Sequence, residues 1–99
     1  MIIDFKDYRC PNAQLALTRV LASFDIDDKT NELVILTIEP SLRRALGERI
    51  AHMNYLMQLT HESSRELTDG IVMAWGVDVD EDDLSDVDLQ HSFTISKNK

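Results

Sequence analysis

The chain has 99 residues, 43% hydrophobic and 28% charged, a composition that specifies one small globular domain with a modest core and excludes a disordered polyelectrolyte. Its formal net charge of −8 works against generic binding to a nucleic-acid backbone, which needs lysine and arginine to displace counterions. A single cysteine excludes an intrachain disulfide and every two-cysteine redox motif. Asp4 and Lys6 interrupt the opening residues before an apolar region builds, so no signal peptide is read there. The longest strongly apolar stretch, 33–38, is far too short to span a bilayer. The expectation is a soluble, cytoplasmic protein with no membrane contact.

Residues 2–5 read as a short opening strand, β-branched and aromatic before a polar turn at Lys6 and Asp7. From Asn12 to about Phe24, apolar residues recur at Leu17, Val20, Leu21 and Phe24, the i, i+3, i+4, i+7 spacing of a helix with one buried face. A polar connector, 25–31, leads to the continuous apolar run 33–38, read as a central strand whose Val34 and Leu36 lead the core. Glu39, Pro40 and Ser41 break that run and start a second helix with the stripe Leu42, Leu46, Ile50 and Met53. Residues 55–61 read as a third strand, although Leu, Met and Gln there also suit a helix. Residues 71–75, entered through Asp69 and Gly70, read as a fourth strand. The order βαβαββ specifies an α+β fold, a two-layer α/β sandwich with two helices packed on one face of a four-stranded mixed sheet. Its first two strands are parallel, and its last two form an antiparallel hairpin.

Beyond Val77 the composition changes. Seven acidic residues fall in the eleven positions 78–88, and against Lys97 and Lys99 they leave residues 78–99 at −5, while residues 1–77 carry −3. The chain therefore divides into a domain, 1–77, and an acidic C-terminal extension, 78–99. A dense run of like charge stays solvated, which makes the extension a mobile tail; the alternation of Ser92, Phe93, Thr94, Ile95 and Ser96 alternatively adds one edge strand near 92–96.

The candidate reactive residue is Cys10. It lies between Arg9 and Pro11 where the first helix begins, and proline suits a first helical turn because its missing N–H would find no partner there. Cys10 is thus expected near the N-cap, with Pro11 at about the first helical position. The free N–H groups of that turn and the helix dipole favour a thiolate, and Arg9 brings a cation next to it. A free cysteine is only about 3% thiolate at pH 7. Depression by about one pKa unit, within reach of helix-end electrostatics, raises that to roughly a quarter. The competing reading is a small buried apolar cysteine.

Asp4, then Arg9, Cys10 and Pro11 opening a helix, then an apolar strand ending in Glu39 and Pro40 before a second helix, resembles the TusA/SirA-like sulfur-carrier family over residues 1–77. The resemblance implies that Cys10 carries sulfur as a persulfide, received from a cysteine desulfurase and passed to a downstream acceptor protein, as in the branch that feeds tRNA thiolation. Arg9, Pro11 and Asn12 are then the residues that bind the partner or stabilise the thiolate. No cofactor and no metal is implied, and the protein is expected to act as a monomer or weak dimer without contacting nucleic acid directly. The chain departs from the family in three places: Ala13 stands where a second proline is usual, Asp7 and Tyr8 replace the small or aliphatic residues common before the arginine, and the acidic extension is not a family feature. A non-catalytic interaction module that keeps this fold without sulfur transfer is the alternative, and a redox sensor at Cys10 a third.

Other chemistry is thin. His52, His61 and His91 fall on separate predicted elements without metal-ligand spacing. The run 80–88 lacks the glycine and terminal glutamate of an EF-hand. Arg43 and Arg44 stand in a first helical turn, where cations are unfavourable; they either meet an external anion or pair locally, Arg44 with Glu48 at i, i+4.

Overall fold

The computed structural model describes residues 1–9, 11–76, 84 and 87–98. Their order is β1 (Ile2–Asp4), α1 (Asn12–Ile26), β2 (Glu32–Thr37), α2 (Leu42–Met53), β3 (Met57–Glu66), α3 (Asp69–Ala74) and β4 (Leu89–Lys97). The four strands form one mixed sheet ordered β1-β2-β4-β3. The α+β fold and two-layer α/β sandwich specified by the sequence are present, with three helices rather than two.

The first half follows its hydrophobic spacing. In α1, Ala13, Leu17, Leu21 and Phe24 are buried, and in α2, Leu42 and Leu46. These stripes meet Leu33 and Ile35 of β2 and Phe93 and Ile95 of β4 in a single core. Val20 and Ile50 only flank that core, and Met53 is exposed. β1 pairs parallel with β2, Ile3 opposite Ile35, as a β-helix-β crossover requires. α2 ends on Asn54, whose φ of 53° is left-handed, a conformation asparagine tolerates better than most residues.

Within β2 the parity is the reverse of the sequence reading. Leu33, Ile35 and Thr37 are buried, while Val34 and Leu36 are half-buried on the opposite face. A continuous apolar run has no alternation of its own, so the face turned to the helices is decided by register with β1 and β4.

The second half departs further. Residues 71–75 are not a strand: Asp69–Ala74 is a helical turn and a half, capped by the Thr68 hydroxyl, which accepts the N–H of Ile71 at 3.3 Å. An N-cap threonine followed by Asp69 in the first turn outweighs the β-branched pair Ile71 and Val72 over so short a segment. The antiparallel partner of β3 is therefore β4. β3 itself runs to Glu66, with a bulge between Leu59 and His61.

β4 carries the largest correction. Residues 89–97 are neither a mobile tail nor an edge strand. β4 lies between β2 and β3, pairing antiparallel with both. Phe93 is 3% exposed and Ile95 is fully buried. Ser92, Thr94 and Ser96 alternate with them and face away from α1 and α2. The polar half of the alternation made the strand resemble an edge. Lys97 closes the end of the sheet, its ammonium bonded to the Asp27 carbonyl and 4.8 Å from the Phe24 ring centroid. The sheet thus needs residues on both sides of position 77.

Candidate functional site at the start of the first helix

The loop between β1 and α1 is held at both ends by backbone. The Phe5 N–H donates to the Leu36 carbonyl at 2.8 Å, and the Tyr8 N–H to the Phe5 carbonyl at 3.0 Å. Phe5 is 2% exposed and anchors the loop in the core. Pro11 takes the N-cap position of α1 with a helical backbone (φ −85°, ψ −9°), and Asn12 is the first helical residue. The helix starts at Asn12 as the spacing implies, while Pro11 stands one position earlier than expected, at the N-cap and not in the first turn. Both Pro11 and Asn12 are exposed. Cys10 lies outside the described residues, as does most of the acidic stretch at 77–83, 85 and 86.

Ala13 has a structural role of its own. It is fully buried, and its N–H donates to the Arg9 carbonyl at 2.9 Å. A proline at this position would have no N–H to give. That bond ties the Arg9 carbonyl to the first turn of α1.

Across the corner, Arg9 Nε donates to Glu39 Oε2 at 2.7 Å, and Ser41 Oγ donates to Glu39 Oε1 at 2.9 Å. The Glu39 N–H in turn donates to the hydroxyl of buried Thr37 at 3.1 Å. Glu39 is 8% exposed. Burial works against its ionisation, but the bonds from Arg9 and Ser41 outweigh it and hold the carboxyl below the usual carboxylate range. This partly buried, charge-assisted bond ties the segment on which Cys10 lies to the β2–α2 corner, thirty residues away in sequence. The cation that Arg9 brings is met by Glu39, so Arg9 fixes backbone as much as it supplies field. The sequence reading singled out Arg9 and missed Glu39 as its partner. The available signal was a lone acid ending an apolar strand, at the level where the first loop must cross.

The remaining candidates pair locally. Arg43 reaches Glu62 on β3 at 3.0 Å and Arg44 reaches Glu48 at 3.0 Å, all four side chains at least half exposed; such pairs contribute little. His91 Nδ1 lies 2.8 Å from Ser64 Oγ, with the imidazole stacked on Phe93. Among the described residues no group of three or more His, Cys, Asp or Glu side chains is placed to hold a metal ion, and no helix is long and apolar enough to cross a membrane.

Beside the loop, Phe5, Tyr8, Asn12, Leu15 and Arg19 line a cleft of about 600 Å³ along the β1 edge. Tyr8 and Leu15 are 47% and 59% exposed. An open apolar surface therefore adjoins the start of α1. No protein-family model, curated protein or solved structure matches the chain.

Proposed function

We propose that this protein is a cytoplasmic sulfur carrier in which Cys10 receives a sulfane sulfur from a persulfide donor of the cysteine-desulfurase class and yields it to an acceptor protein. The observation that carries the reading is the Arg9–Glu39 bond at 2.7 Å. It ties Arg9, the neighbour in sequence of the only cysteine, to the β2–α2 corner, and that cysteine directly precedes α1, whose first-turn N–H groups and dipole would favour a thiolate. The exposed apolar cleft beside Tyr8 and Leu15 offers a partner protein a place to dock near that point.

The chemistry is thiol exchange. The Cys10 thiolate attacks the terminal sulfur of the donor persulfide, a new S–S bond forms on Cys10, the donor's S–S bond breaks, and the donor cysteine leaves as thiolate. The terminal proton stays with the transferred sulfur, and nothing is oxidised or reduced overall. An acceptor thiolate repeats the step in the opposite sense. The chain's net charge of −8 directs it to proteins with basic surfaces and away from RNA.

Intact mass after incubation with a cysteine desulfurase and cysteine tests the reading. Wild-type chain gains the mass of one sulfur, reversed by a reductant, and Cys10→Ser gains none. A wild-type chain that gains no sulfur sinks the carrier and leaves the interaction module in its place.

A further inference from the structure

A cavity of about 370 Å³ lies beside α3, on the opposite side of β1 from the α1 cleft, and its lining includes Asp4, Lys6, Arg65, Thr68, Ile71 and Trp75. Strand register puts Asp4, opposite Leu36, and Arg65, opposite Gln90, on the sheet face turned away from α1 and α2. Two features of this lining are costly as they stand. Trp75 is 5% exposed, and among the described residues its Nε1–H is a buried side-chain donor with no hydrogen-bond partner. Buried unsatisfied donors are rare in folded proteins and call for an explanation. Lys6 has a φ of 54°, a left-handed backbone that a lysine adopts at a cost and that gathers at binding and catalytic sites. Its N–H is held by the Asp4 carboxylate at 2.8 Å.

We propose that this cavity binds a small organic monocarboxylate. The ligand carboxylate accepts the Trp75 indole N–H and is drawn by the charges of Lys6 and Arg65, while its short apolar body lies along Ile71 and Ala74. Arg65 is oriented for this, because its Nε donates to Oε1 of Gln90 at 2.7 Å and Gln90 is itself 2% exposed on the central strand. Three charged groups stand in the lining, two positive and one negative. The net lining charge of these three groups, +1, is neutralised by a single carboxylate. The volume falls within the range of about 300–1,000 Å³ typical of small-molecule sites. This site is independent of the sulfur-carrier reading: it uses neither Cys10 nor Glu39.

The chain has one tryptophan, so the indole N–H gives a single resonance in a ¹H–¹⁵N correlation spectrum. The experiment titrates the full-length protein with sodium butyrate, and in parallel with butyramide and inorganic phosphate, at constant ionic strength. Butyrate produces a saturable downfield shift of the Trp75 indole proton; butyramide and phosphate produce no comparable saturable shift. Arg65→Gln weakens butyrate binding by about tenfold or more, the loss expected for a charged hydrogen-bonding partner. Lys6→Gln gives the same reading from the other side of the cavity if Arg65→Gln does not fold. Absence of a saturable butyrate shift overturns the proposal, as does an equal response to butyramide, tighter binding of phosphate, or unchanged butyrate affinity in the charge variants.

Discussion

The run 33–38 and the run 92–96 both became neighbouring strands at the middle of the sheet, yet their sequences look unlike. The first is apolar throughout and reads as a central strand. The second alternates Phe93 and Ile95 with serine and threonine and sits behind an acidic stretch, so it reads as a dispensable edge. Burial explains the difference. β2 has Leu33, Ile35 and Thr37 buried and Val34 and Leu36 half-buried on the other face. β4 buries Phe93 and Ile95 beneath the helices and turns its hydroxyls to the other face. Whether a strand is central is decided by hydrogen-bonded neighbours on both sides, and an antiparallel strand needs only one apolar face to hold that place. Apolar density thus measures how many faces are covered, and not where in the sheet a strand lies.

The sharpest way to break this comparison is to remove one of the two strands. Deleting residues 78–99 takes out β4, separates β2 from β3 and exposes Leu33 and Ile35. The truncated chain is expected to lose cooperative thermal unfolding altogether, followed by circular dichroism. A cooperative melt close to that of the full chain would show that residues 1–77 fold alone and that β4 is an accessory.

A smaller effect sharpens the other side of the comparison, the corner where β2 ends. Glu39 has a native carboxyl pKa below its ordinary value, so its contribution is fully present above the unfolded-state value, about 4.3, and is lost as pH falls through the native one. Glu39→Gln keeps the shape but removes the charge, and should cost about 1–3 kcal/mol near neutral pH. It should also flatten the loss of stability below about pH 4, measured as denaturation midpoints across a pH series. An acid profile unchanged from wild type would mean that Arg9 and Glu39 do not stabilise the fold as a charged pair.

Much of the first half was legible because helical spacing and a proline at a helix start are local signals. Leu17, Leu21, Leu42 and Leu46 are buried as their periodicity implies. The rest required partners far along the chain. Which of Leu33 or Val34 faces the helices depends on register with β1 and β4. The helix at Asp69–Ala74 depends on one threonine cap overriding a β-rich composition. The site divides in the same way. Arg9, Pro11 and Asn12 stand out as a contiguous motif, and Pro11 and Asn12 open α1. Glu39, thirty residues from Arg9 and tied to it only by the fold, shows in sequence as a lone acid ending an apolar strand, with nothing local to name its partner.

The central functional claim is that the opening of α1 makes Cys10 reactive, and the alkylation rate of that thiol near pH 7 tests it most directly. The reference is an unstructured peptide carrying the same residues around the cysteine. Lowering the thiol pKa by about one unit raises the thiolate fraction roughly eightfold. The weaker intrinsic nucleophilicity of a more acidic thiol takes back about a factor of three. The folded protein should therefore react about threefold faster than the peptide at pH 7, with the advantage reversing above about pH 8 as the peptide thiol ionises. A Cys10 that alkylates no faster than the peptide at pH 7 would contradict the account.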